Sequence, residues 1–177
     1  MPIFRLLFDI SVGLIRTTDD LTLKTTAEEY YQQAFAIARK NNNIREIGSL
    51  MLSKAAMLRI FKEFFLAEAC ILESIALFDR IGDQKSEAFA ISEHGAIAIE
   101  LAQFDKAIAL LNNAYQMQFK FNDKNGMTMN LYRLGIAYAR KGDKQQAKLF
   151  LTQAFEIATK HVKSLIQIID SALKRLD

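Results

Sequence analysis

Proline occurs once in the 177 residues and glycine seven times. So small a supply of turn formers argues against a β-sandwich or barrel, whose many short connections need them. Tryptophan is absent, and the lone Cys70 has no cysteine to pair with. It sits in the apolar run Phe64–Leu72 and reads as a small core side chain, which suits a reducing cytoplasm and sets a cytoplasmic location as the expectation. Charge of one sign is also scarce. The formal net charge is +3, and no run of Lys and Arg marks a nucleic-acid surface, so no nucleic acid is expected as partner. Ile3–Ile15 is mostly apolar but is broken by Arg5 and Asp9 and is shorter than a membrane span; no membrane association is expected, and the segment reads as a helix of the mature protein.

The chemistry-bearing motifs are missing as well. His94 and His161 are the two histidines, and neither stands in a His-Glu-x-x-His or Glu-x-x-His spacing that would bring zinc or di-iron ligands to one helix face. No Gly-x-x-x-x-Gly-Lys loop is present to cradle a phosphate. The expectation is therefore no metal, no cofactor and no enzyme; His94 reads as an inter-helix residue and Glu28-Glu29 after Thr25-Thr26 as a capping box.

What is present is a repeat. Ala55, Gly95 and Gly135 recur at a spacing of forty, followed in step by Ala67, Ala107 and Ala147, then by Ser74, Ala114 and Ala154. Met51, Ile91 and Leu131 keep the same interval, as do Ile71, Leu111 and Leu151. Asn43, Asp83 and Asp123 recur where helices should begin, with side-chain oxygens suited to the first-turn amides. Within each unit the apolar spacing is helical: Ala147, Leu151, Ala154, Ile157 and Ala158 share one face. The pattern predicts helices near 2–17, 25–40, 43–61, 64–80, 83–101, 104–120, 125–141, 144–160 and 163–176. The small residues fall where paired helices would cross at close range, so the expected fold is all-α: about four stacked hairpins in a right-handed superhelix, closed by a C-terminal capping helix. The domain reading is one unit over 1–177, with a degenerate first hairpin at 1–42, repeats at 43–82, 83–122 and 123–162, and a cap at 163–177.

Leu131, Leu134-Gly135, Tyr138, Gly142, Ala147 and Ala154 resemble the tetratricopeptide signature. The preceding unit carries it more weakly, through Ile91, Gly95, Phe104, Ala107 and Ala114, and the one before through Met51, Ala55, Leu58, Phe64 and Ala67. The usual repeat is about 34 residues long; a longer unit with a junction such as Arg80-Ile81-Gly82-Asp83 is similar to repeats of spindle adaptors, kinesin light chains and bacterial signalling regulators. The resemblance implies protein or peptide binding in a concave groove lined by the first helix of each pair. It places Ser49, Leu52, Ser53, Ala56 and Arg59 there from the first full repeat. The second repeat supplies Phe89, Ser92, Glu93, Ala96 and Glu100, and the third Met129, Tyr132, Arg133, Ile136 and Arg140. Aromatic and arginine side chains are the usual anchors of interfaces; the alternative is that they pack within the chain.

Two terminal segments complete the expectations. Val162, Leu165, Ile166, Ile169, Leu173 and Leu176 form one apolar stripe with Lys163, Gln167, Asp170, Lys174 and Arg175 facing away, as a cap requires. The first segment is apolar almost all round, which points to self-association, a homodimer joined through Phe4, Leu7 and Phe8, or else to a helix wedged among its own neighbours. The function that follows is a non-catalytic scaffold for a protein or peptide. The alternatives are a regulatory sensor binding a signalling protein on its outer face, and a structural homo-oligomer.

Overall fold

The computed structural model describes the backbone of residues 21–176 and the side chains from Glu28 to Leu176. Phe4, Leu7, Phe8 and the helix expected at 2–17 lie outside the described residues. The chain forms α1 (Leu21–Lys40), α2 (Ile44–Ile60), α3 (Phe64–Arg80), α4 (Gln84–Glu100), α5 (Phe104–Lys120), α6 (Lys124–Lys141) and α7 (Lys144–His161). A 3-10 turn at Lys163–Leu165 then leads into α8 (Ile166–Lys174), and no strand occurs among the described residues. Two boundaries differ from expectation. Thr25-Thr26 lies inside α1 and does not cap it: threonine costs under about 0.7 kcal/mol in a helix, so Leu21–Lys24 carry the helix through. The cap is a turn plus a short helix, with Ile169 fully buried and Ile168 about half exposed.

The helices are joined by one device used six times. Asn42, Lys62, Gly82, Ala102, Asn122 and Gly142 stand every twenty residues, and each has a positive φ, from 49° to 95°. Around each, two backbone bonds close the preceding helix, as in Ala102 N to Ile99 O (3.1 Å) and Gln103 N to Ala98 O (2.9 Å). This is the Schellman arrangement, in which one left-handed residue turns the chain and satisfies the last carbonyls. The residue after it starts the next helix. Asn43, Asp123 and Asp143 each accept a hydrogen bond from the amide three residues on, whereas Glu63 and Gln103 make no such bond. Twenty residues per helix and turn give forty per hairpin, which is the lag seen in the sequence.

The chain divides into two compact units, one ending at Asp83 and the other beginning at Gln84. In the first, α2 packs against α1 and α3. In the second, α4, α5, α6 and α7 pack consecutively and α8 lies on α7. Within α3, α5 and α7 the burial pattern is the same from turn to turn. Ala67, Ala107 and Ala147 are wholly buried, as are Ile71, Leu111 and Leu151, then Ser74, Ala114 and Ala154. Ser74 keeps its hydroxyl satisfied by donating to Gly48 O at 2.8 Å. At the fourth position the repeat stops being uniform, with Phe78, Gln118 and Ala158.

Hairpins close at the small residues. A Cβ added to Gly135 would stand 2.5 Å from Leu151 Cγ and 3.2 Å from Ala147 O; one added to Gly95 would stand 2.7 Å from Leu111. Mid-helix glycine costs about 0.8–1.0 kcal/mol relative to alanine, and here that cost is offset by the close backbone approach. Gly135→Val is expected to lose at least ~2 kcal/mol through overpacking, read as a lower urea midpoint at unchanged slope. At the turns, Ala102→Gly should gain about 1 kcal/mol by relieving a left-handed alanine, and Gly142→Ala should lose a similar amount; thermal melts of the two variants should shift in opposite directions.

Candidate binding face on the first helices

In the second unit, α4 and α6 are the first helices of successive hairpins and run in the same direction. Two ion pairs mark their register. Arg133 Nη2 pairs with Glu93 Oε1, and Arg140 Nη1 reaches Glu100 Oε2 at 3.1 Å. Each pair joins residues one repeat apart, so equivalent levels of the two helices stand side by side. Phe89 and Met129 share one such level, and Ala96 and Ile136 another.

The expected residues meet three fates. Phe89 is half exposed, while Met129, Tyr132 and Ile136 are partly covered; Tyr132 and Ile136 also pack on the core beneath them. Burial pushes the Tyr132 hydroxyl above its usual pKa, and the positive charges of Arg175, Arg133 and Arg140 pull it back. Tyr132 is therefore a neutral donor at neutral pH. Arg140 and Glu100 remain partly open to solvent.

Ser92, Glu93 and Arg133 are engaged inside the protein. Ser92 is 2 % exposed and donates to Asn130 Oδ1 at 2.6 Å, while Arg133 Nη1 donates to Ser92 Oγ at 2.7 Å. Asn130 Nδ2 in turn donates to Gln118 Oε1 at 2.5 Å. The Arg133 and Glu93 side chains retain only 13 % and 12 % of their exposure. Three of the expected groove residues thus form a buried chain with Asn130 and Gln118, because a polar group taken out of water needs a partner close by. Asn130 and Gln118 escaped the sequence reading. A signal for Gln118 existed: it is a polar residue at the register occupied by Phe78 and Ala158. Glycine at 126 leaves room for it, since a Cβ there would fall 2.3 Å from the Gln118 amide carbon.

Leu52, Ala56 and Arg59 lie on α2 in the first unit and are half-buried. The Arg59 Nε is buried without a hydrogen-bond partner among the described residues. Ser49 and Ser53 donate to the carbonyls of Arg45 and Ser49 on their own helix. His94 is buried on α4. Among the described residues no group of His, Cys, Asp and Glu is arranged to hold a metal, and no helix is long and apolar enough to cross a membrane.

An all-α chain of repeated hairpins, with its variable side chains along the first helices, belongs to the helical-repeat class. The family model for the tetratricopeptide repeat matches residues 87–160, so that stretch is of tetratricopeptide-repeat type. Among solved structures it is similar to BtubC (BKLC) from P. vanneervenii, with a TM-score of 0.69 and 20% identity. The match covers 88% of this chain and 65% of that one, so this chain spans about two thirds of its length, and the likeness lies in the fold. No curated protein matches the sequence.

The buried ion pair makes a sharp stability prediction. Arg133→Met alone should cost about 3–5 kcal/mol by stranding the Glu93 carboxylate, whereas Glu93→Leu with Arg133→Met should recover most of that loss. A double-mutant cycle in urea reads the coupling.

Proposed function

We propose that this chain is a non-catalytic protein-interaction module that receives a peptide or helix of a protein partner along the α4–α6 face. The observation that carries the reading is the division of labour on that face. Arg133 with Glu93 and Arg140 with Glu100 neutralise one another, which leaves Phe89 and the partly open Met129, Tyr132 and Ile136 as the groups with surface to give. Such a face reads apolar side chains, with Tyr132 as a hydrogen-bond donor, and it is set in place before the partner arrives. Pre-organisation lowers the ordering cost of association, and aromatic anchors dominate the energy of most interfaces. The tetratricopeptide repeat at 87–160 covers both helices and supports the same reading.

Selection from a random peptide display library, followed by calorimetry, tests it. Selected peptides should carry two or more apolar anchors, and Phe89→Ser with Tyr132→Ala should weaken them at least ~10-fold at unchanged helicity. Undiminished affinity in that variant would remove the face from the proposal.

A further inference from the structure

The outward positions of the second helices α3, α5 and α7 are exposed, yet α3 fills them differently from the other two. From the turn before α3 onward they are Lys62, Phe65, Ala69, Leu72, Ala76 and Asp79, all exposed. Phe65 is 76% exposed, Leu72 51%, and the flanking Leu66 57%. One repeat later Asp105, Asn112 and Gln116 stand where Phe65, Leu72 and Ala76 do; two repeats later Gln145, Thr152 and Glu156 stand there, again all exposed. At the Phe65 and Leu72 positions the hairpin fold therefore has no need of apolar side chains. Elsewhere in the same registers α5 exposes Phe119 and α7 Leu149, each a lone large side chain; on α3 Phe65 and Leu72 stand two turns apart with Ala69 between them, apolar surface facing water without a structural reason.

The stripe is its own complement when read backwards. Laid antiparallel about a twofold axis between Cys70 and Ile71, two α3 helices would set Phe65 against Ala76 and Leu72 against Ala69. Lys62 would meet Asp79 at both ends. Large faces small at each level, and opposite charges face each other at each end. A twofold contact demands this self-matching, since every pair occurs twice. Lys62 and Asp79 are both exposed, and no ion pair among the described residues uses either. We propose that the exposed stripe of α3 is a homodimerisation surface on which a second copy of this chain docks antiparallel. One helix pair buries less than the roughly 1,200–2,000 Å² of stable complexes, so the dimer is weak and concentration-dependent.

Sedimentation velocity across roughly 10 µM to 1 mM tests this, a range suited to contacts below standard size. The wild type should shift from monomer to dimer, and Phe65→Asp with Leu72→Asp should stay monomeric with unchanged helicity. Asp79→Lys should weaken the dimer several-fold, and adding Lys62→Asp to it should restore association. A wild type that is monomeric throughout overturns the proposal. So does undiminished association in the Phe65, Leu72 variant, or its loss in Phe4→Asp alone, which would move the contact to residues 3–15. A charge swap that fails to restore association would overturn the antiparallel arrangement.

Discussion

The close crossing of the two helices in each hairpin sets the terms for the rest of the molecule. At Gly135 the α6 backbone lies against Leu151 and the Ala147 carbonyl, and at Gly95 the α4 backbone lies against Leu111 in the same way. Any side chain at these two glycines, or one larger than alanine at Ala67, Ala107 or Ala147, would hold the helices apart and open the core behind them. Once the crossing is tight, the second helix has one way to face, and Ile71, Leu111 and Leu151 are driven to full burial.

The turns make that crossing repeatable. Because each of the helices α1 to α6 ends in a left-handed residue and the N-cap of the next follows directly, no loop length is left to vary among them. Within the second unit, equivalent residues of its successive hairpins arrive at equivalent heights. This is why Arg133 can meet Glu93 and Arg140 can meet Glu100: the charges are forty residues apart in the chain and neighbours in space. A shift of one residue in a single turn would rotate a helix by about 100° and separate both pairs. The ion pairs are consequences of the period and do not create it.

With the scaffold set by small residues and turns, the outward positions are free to differ, and they carry what individuality the chain has. On the α4–α6 face that individuality is Phe89, Met129, Tyr132 and Ile136 around two neutralised charge pairs. On α3 it is Phe65 and Leu72 in a register that α5 and α7 keep polar. The buried Gln118–Asn130–Ser92–Arg133–Glu93 chain lies between these extremes. It occupies inward positions yet is polar throughout, and it holds α4, α5 and α6 to one another by directional bonds that a uniform apolar core would lack.

The amino-acid sequence by itself determined the helices, their forty-residue period and the small residues at the crossings, because spacing along a helix decides which side chains share a face. Gln118, at a register filled by Phe78 and Ala158, was also visible there as an oddity, though its partner was not. Only the tertiary structure decided that Ser92, Glu93 and Arg133 turn inward to one another while Phe89 stays open. Whether a polar side chain faces solvent or another polar group depends on which neighbour the folded chain brings within about 3 Å, and helical periodicity carries no information about neighbours on other helices.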